Sequence, residues 1–128
     1  GTRSPDGRLY KGHTGAARLA LETGCPIIPA AIIGSRELQK PGQVIPGKGH
    51  SKVIYGEPIE VEKTPSDEVT HERLRELTDE ITRRIQAMSG QEYVPEYAQV
   101  VKQQMKEEQD VLDSAGAEAA ADLEREHE

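Results

Sequence analysis

Tryptophan and phenylalanine are absent from the 128 residues, and four tyrosines are the only aromatics. A chain this poor in large apolar rings builds only a thin, aliphatic core. A single cysteine excludes a disulfide framework and any Cys-based zinc site within the chain, and it fits a reducing compartment. Long hydrophobic runs are missing as well. The longest uncharged apolar run, Pro26–Gly34, falls far short of the roughly 20 residues a spanning helix needs. No basic, apolar, cleavable signal opens the sequence. Gly42, Gly47 and Gly49 fit neither a Gly-x-Gly-x-x-Gly nor a Gly-Lys-Ser/Thr phosphate loop. The basic residues are not interleaved with aromatics, which argues against nucleic-acid binding.

What is present is a charge gradient. The net charge is −7. Residues 1–55 carry eight Lys/Arg against three Asp/Glu, a net +5. Residues 56–90 carry five against nine, a net −4, and residues 91–128 three against eleven, a net −8. The partner of the front end is therefore expected to be an anion. The length suits one small domain. The first residue is Gly1 rather than Met, so the chain is expected to be part of a longer protein.

The pattern along the chain reads as α/β. Residues 1–12 are expected as loop and turn, with Pro5-Asp6-Gly7 the turn signal. A helix is expected from about His13 to Thr23, with Ala16, Leu19, Ala20 and Thr23 on its apolar face and Gly24 as its C-terminal stop. Cys25–Ile33 then reads as a strand apolar on both faces, hence a central strand covered on two sides, with Pro29 at its start or at a bulge. Cys25 is expected in the core. Residues 35–50 form a Gly- and Pro-rich loop, Ser51–Tyr55 a second strand, and Gly56–Val61 an extended continuation. Thr64 and Pro65 are expected as N-cap and first residue of a second helix. Its stripe is Leu74, Leu77, Ile81, Ile85 and Met88, and Gly90 ends it. A third helix is expected over Pro95–Leu112, followed after Ser114 by an acidic tail that is disordered or frayed helix. Two strands do not make a stable sheet, so the remaining strands are expected upstream.

The functional signal lies at the front. Thr2, Arg3 and Ser4 lead into the turn, and Tyr10, Lys11 and Gly12 lead out of it. A tight reversal would bring Arg3 and Lys11 to the same end, beside the start of the first helix. Two cations meeting free helix amides form a phosphate site: Arg supplies a planar fork and Lys a point charge. Solvated surface charges beside a turn are the competing reading. Cys25, His13, His50 and the glycines of the loop read as structural, and the stripe of residues 74–88 reads as core, its opposite face being mixed in charge.

Gly1-Thr2-Arg3-Ser4, then Lys11-Gly12, then Pro26-Ile27-Ile28-Pro29, and finally Gly90-Gln91-Glu92-Tyr93-Val94-Pro95-Glu96-Tyr97, resemble in order and spacing the second half of the glycerolipid acyltransferases. The resemblance covers roughly residues 1–100. It implies a glycerolipid-acyltransferase-like sheet flanked by helices. It also implies a substrate-binding set of Gly1, Thr2, Arg3 and Lys11 that holds the acceptor phosphate; the glutamate that opens the family's Glu-Gly-Thr-Arg block would precede Gly1. The implied reaction moves an acyl group from acyl carrier protein or coenzyme A to the sn-2 hydroxyl of 1-acylglycerol-3-phosphate, giving phosphatidic acid, with no cofactor and no metal.

The family's catalytic pair, His-x-x-x-x-Asp, is not in the chain. Five residues after His13, His50 and His71 stand Arg18, Tyr55 and Glu76, and His127 is next to last. This sequence therefore reads as an acyltransferase portion that is inactive alone, with no catalytic residue of its own. Its partners are lysophosphatidic acid, an acyl donor and, through an upstream segment, the cytoplasmic face of a membrane. The groove for the acyl chain is expected upstream too. The boundaries read as 1–90 for the acyltransferase part, 91–113 for a helical extension and 114–128 for the tail. A noncatalytic anion-binding module and a module that pairs through its helices are the alternatives.

Overall fold

The computed structural model describes residues 2–40 and 42–126. Its elements are β1 (Leu9–Tyr10), α1 (Gly15–Thr23), β2 (Ala30–Ile33), α2 (Ser35–Leu38), β3 (Lys52–Tyr55), α3 (His71–Ser89), β4 (Tyr93–Val94) and α4 (Ala98–Glu126). They make a mixed helix and strand fold with two short sheets: β1 pairs with β4 in parallel, and β2 with β3 antiparallel.

The core lies where α1 crosses α3. Ala17, Leu21, Leu74 and Leu77 are buried together, and Ile27, Ile59, Val61, Val69 and Ile81 pack around them. The buried face of α1 is Ala17, Ala20 and Leu21, one step around the helix from the expected face, and Leu19 is left 64% exposed. Close helix contact explains the shift. Ala17, with no accessible surface, lets the α1 backbone approach α3, and Leu21 fills the space beside Leu74 and Leu77. Gly24 closes α1, its N–H donating to Ala20 O at 2.7 Å, and Gly90 closes α3 in the same way on Gln86 O at 2.8 Å.

α3 starts at His71, not next to Pro65. Thr70 is the cap: its Oγ1 accepts from Arg73 N–H at 3.1 Å. Val69, the residue before the cap, packs against the cluster that contains Leu74, the fourth residue of the helix. That is a hydrophobic staple, and it sets the point at which the chain enters the helix. Thr64 instead donates its hydroxyl to Glu62 O, and Pro65 closes a turn by accepting from Glu68 N–H. Within α3, the buried Thr78 and Thr82 donate their hydroxyls to Leu74 O and Thr78 O, so no polar atom is left unpaired there.

The strand expected over Cys25–Ile33 is shorter. Pro26 and Pro29 have no N–H to give a ladder. A single bridge joins Ile27 to Ile59, and regular pairing begins at Ala30, opposite Tyr55, and ends at Ile33, opposite Lys52. Pro29 thus sits just before the strand. α3 covers one face, where Ala31 is buried; on the other, Ile28 and Ile32 are 57% and 60% exposed. Among the described residues this sheet is therefore covered on one face rather than two. Cys25 is exposed, not in the core.

Two further departures concern the ends. The stretch expected as loop holds β1, whose parallel pairing with β4 ties residues 9–10 to residues 93–94. Flanking bonds from Leu9 N–H to Glu92 O and from Lys11 N–H to Glu96 O extend it. α4 begins at Ala98 and runs past the expected end at Leu112 through residues 114–126, the stretch expected as disordered or frayed helix. None of its residues is buried; it rests on local forces. Alanine, glutamate and glutamine favour the helix intrinsically. Spacings of four add Gln103 to Glu107 and Gln109 to Asp113 side-chain bonds. No helix among the described residues is long and apolar enough to cross a membrane.

Candidate functional site

The turn at Pro5–Gly7 is organised by one carboxylate. Asp6 Oδ2 accepts from Arg8 Nε at 2.7 Å and from the Tyr10 hydroxyl at 2.8 Å, and Asp6 Oδ1 accepts from Arg8 N–H at 3.0 Å and from Ser4 Oγ at 3.3 Å. Gly7, at φ +85°, makes the reversal, and its N–H donates to Ser4 Oγ. Burial alone would push the Asp6 carboxyl upward. The hydrogen bonds from Tyr10 and Arg8, with the Arg8 charge, outweigh it and hold the group at about 2. Burial, reinforced by the Asp6 carboxylate, raises the Tyr10 hydroxyl. This clamp and the β1–β4 pairing fix the frame on which the front-end side chains stand.

Two adjacent hollows open on that frame. The larger, about 570 Å³, is lined by Arg3, Arg36, Lys102, Ile32, Ile33 and Gln91, among others. The smaller, about 320 Å³, is lined by Thr2, Lys11, Gly12, His13 and Gln99. Ser4 and Gln91 belong to both and form the shared wall. Gln91 is held there by donating Nε2–H to Gly7 O at 2.7 Å.

Of the residues expected in a phosphate site, Gly1 lies outside the described residues. Thr2 and Lys11 line the smaller hollow together, next to Gly12 and His13 at the approach to α1. Arg3 lines the larger hollow, its Nη2 donating to Gln39 O at 3.0 Å. The two cations thus stand on opposite sides of a shared wall rather than in a single hollow. Lys11 Nζ sits 5.2 Å from the centre of the Tyr97 ring, a cation–π contact. His13 stacks on the same ring, centroids 4.6 Å apart and planes 10° from parallel.

Arg36 and Lys102 are the residues that local pattern does not mark. Arg36 reaches the front of the chain by donating Nη1–H to Pro5 O at 3.0 Å. Lys102 does so by donating to Thr2 Oγ1 at 3.4 Å, which links the two hollows. Only the return of α2 and α4 to the front brings them there, across sequence separations of 31 and 100 residues. In the larger hollow, three cations face a wall of isoleucine, with Glu37 the one acid on its lining. Such a surface suits an anion that carries an apolar group. Among the described residues no group of three or more His, Cys, Asp or Glu side chains is placed to hold a metal ion.

Fold and site together define a small mixed helix and strand protein with a cationic, partly apolar hollow. Compared with known proteins, the chain is 38% identical over 60 residues to the chloroplastic 1-acyl-sn-glycerol-3-phosphate acyltransferase BAT2 of Brassica napus. The matched stretch is 46% of this chain and 17% of that relative. No family model matches the chain, and no solved structure matches it. The similarity thus points to acyltransferases, on a short span of a much longer relative.

Proposed function

We propose that this chain is the acceptor-binding portion of a glycerolipid acyltransferase. In the intact enzyme, the sn-2 hydroxyl oxygen of 1-acylglycerol-3-phosphate bonds to the acyl carbon of an acyl-carrier-protein or coenzyme A thioester. The carbon–sulfur bond breaks, the thiol leaves, and a base outside this chain takes the hydroxyl proton. Phosphatidic acid is the product. Of the residues expected to hold the acceptor phosphate, Arg3 binds it in the larger hollow with Arg36, while Thr2 and Lys11 flank it from the smaller one; the enzyme works at the cytoplasmic face of a membrane.

The observation that carries this reading is the 38% identity over 60 residues to an acyltransferase named for that acceptor. The larger hollow supports it. Two charge-assisted hydrogen bonds contribute roughly 3–6 kcal/mol together, short of the roughly 8 kcal/mol of micromolar affinity. Each methylene buried against an apolar wall adds about 0.8 kcal/mol. Ile32 and Ile33 beside Arg3 offer such a wall, so a phosphate with an alkyl chain binds better there than phosphate alone.

The test has two arms. The purified 128-residue chain, given lysophosphatidic acid and acyl-coenzyme A, yields phosphatidic acid at the no-protein background; turnover above it would refute the claim that the base lies elsewhere. In the full-length enzyme, Arg3→Ala raises the acceptor KM about 10- to 100-fold, the loss of one charged hydrogen bond, and leaves the donor KM unchanged. Unchanged acceptor kinetics would remove Arg3 from the site. One observation favours the helix-pairing alternative: α4 buries none of its 29 residues and leaves Met105, Leu112 and Leu123 exposed. A rise in helicity with chain concentration would support it.

A further inference from the structure

The segment that follows α2 combines two properties that rarely coincide on a free surface. Between Leu38 and Gly56 the sequence has three lysines, Lys40, Lys48 and Lys52, and no acidic residue. In the same segment the neighbouring side chains Val44 and Ile45 are 89% and 76% exposed. The segment is also shaped, because its backbone and side chains are hydrogen-bonded. Gly47 N–H donates to Leu38 O at 2.6 Å, Gln43 N–H to Lys40 O at 3.0 Å, and Gln39 Nε2–H to Gln43 O at 3.0 Å. The Leu38 side chain lies against Gly49. The two aliphatic side chains are therefore held outward by a closed base. Gln39 and Gly42 of this segment also line the larger hollow.

We propose that residues 42–50, with Lys40 and Lys52, dock on the surface of an anionic lipid bilayer. Val44 and Ile45 enter the boundary between headgroups and acyl chains, and Lys40 and Lys48 lie among the lipid phosphates. Charge complementarity favours this occupant, since every ionised group from residue 38 to residue 56 is cationic; Glu37 and Glu57 flank the stretch. Size favours it too. A stable protein interface needs roughly 800 Å² from each side, more than the tip of Val44 and Ile45 alone provides, whereas a bilayer accepts a small apolar insertion reinforced by lysines. This inference rests on the membrane setting of the proposed function and names the segment that meets the lipid surface; it needs no acyl acceptor.

The absence of tryptophan gives a clean probe. The Ile45→Trp chain is mixed with vesicles of phosphatidylcholine alone or of phosphatidylcholine and phosphatidylglycerol at 7:3. The expected result is a blue shift of indole emission on the anionic vesicles, with partition at least tenfold stronger than on neutral ones and weakening as salt rises. Without the probe, Val44→Ser with Ile45→Ser lowers cosedimentation with anionic vesicles at least tenfold at an unchanged melting temperature, and Lys40→Gln with Lys48→Gln lowers it at least fivefold. Lys11→Ala, in the smaller hollow and away from this segment, leaves this partition unchanged, so the two proposals fail separately. The docking proposal is overturned by an emission spectrum indifferent to anionic vesicles, by equal binding to neutral ones, or by a Val44→Ser/Ile45→Ser chain that sediments like the parent. A blue shift that follows protein concentration instead of lipid overturns it as well, in favour of contact between copies of the chain.

Discussion

At the scale of single residues, Gly12 shows how tightly the front end is packed. A Cβ placed there would stand 3.1 Å from Thr78 Cγ2 and 3.4 Å from Thr82 Oγ1. Both threonines are buried and bound back to their own helix, so they have little room to yield. Gly12→Ala is expected to cost about 1–2 kcal/mol by overpacking, seen as a lower thermal midpoint by circular dichroism. Thr78→Ser removes the opposing methyl while keeping the hydroxyl, and it should return part of that loss; equal melting of the single and double variants would mean that the contact is not the cause. The Lys11-Gly12 pair thus has a packing reason that no property of the pair alone discloses, since Thr78 lies 66 residues away. Asp6 supplies a prediction in pH. Its carboxyl titrates near 2 in the folded chain against an ordinary 3.8, so the unfolded state binds the proton more readily. The stability from this group is complete above about pH 4 and is lost as pH falls from there toward 2. Solvent reaches part of the Asp6 side chain, so the contribution is about 1–2 kcal/mol. Denaturant midpoints of the parent and Asp6→Asn should differ at pH 6 and converge by pH 2; a difference that holds at pH 2 would assign it to packing.

At the scale of elements, helices announced themselves better than their edges. The stripe from Leu74 to Met88 faces inward as its spacing requires, with Leu74 and Leu77 buried. The start of α3 was expected at Thr64, which proline follows, and lies instead at Thr70, which valine precedes. Local preference favours the first; contact of Val69 with the core decides for the second. Thr70→Ala is therefore expected to cost about 1 kcal/mol and Thr64→Ala a few tenths, measured by urea unfolding. The reverse order would return the helix start to Pro65. α1 failed differently. With alanines at positions 16, 17 and 20, two neighbouring faces look almost equally apolar, and only the approach of α3 selects the one with Ala17 and Leu21. β1 and β4 are two residues each, too short for any periodicity, and neither exists without the other.

At the scale of the whole molecule, the parallel pairing of β1 with β4 is what gathers the candidate site, because it brings residues 9–11 beside residues 92–96 and sets α4 next to the front end. The cations Arg3 and Lys11 were legible in the sequence, as was the turn between them. That they would face different hollows was not, since this depends on Gln91, Arg36 and Lys102 arriving from elsewhere in the chain. For the proposed acceptor site, the arrangement distinguishes two ways of seating the phosphate. If the phosphate lies in the larger hollow, Arg3 and Arg36 share it, and their substitutions couple. If it straddles the shared wall, Arg3 couples to Lys11 instead. A double-mutant cycle on the binding of lysophosphatidic acid separates these cases. Geometry favours the first: Arg3, Arg36 and the isoleucine wall line one space, while Lys11 is engaged with the Tyr97 ring on the other side. Arg3→Ala with Arg36→Ala is expected to depart from additivity by at least about 0.5 kcal/mol, and Arg3→Ala with Lys11→Ala to add within about that margin. The opposite pattern would move the phosphate onto Ser4 and Gln91, between the two hollows.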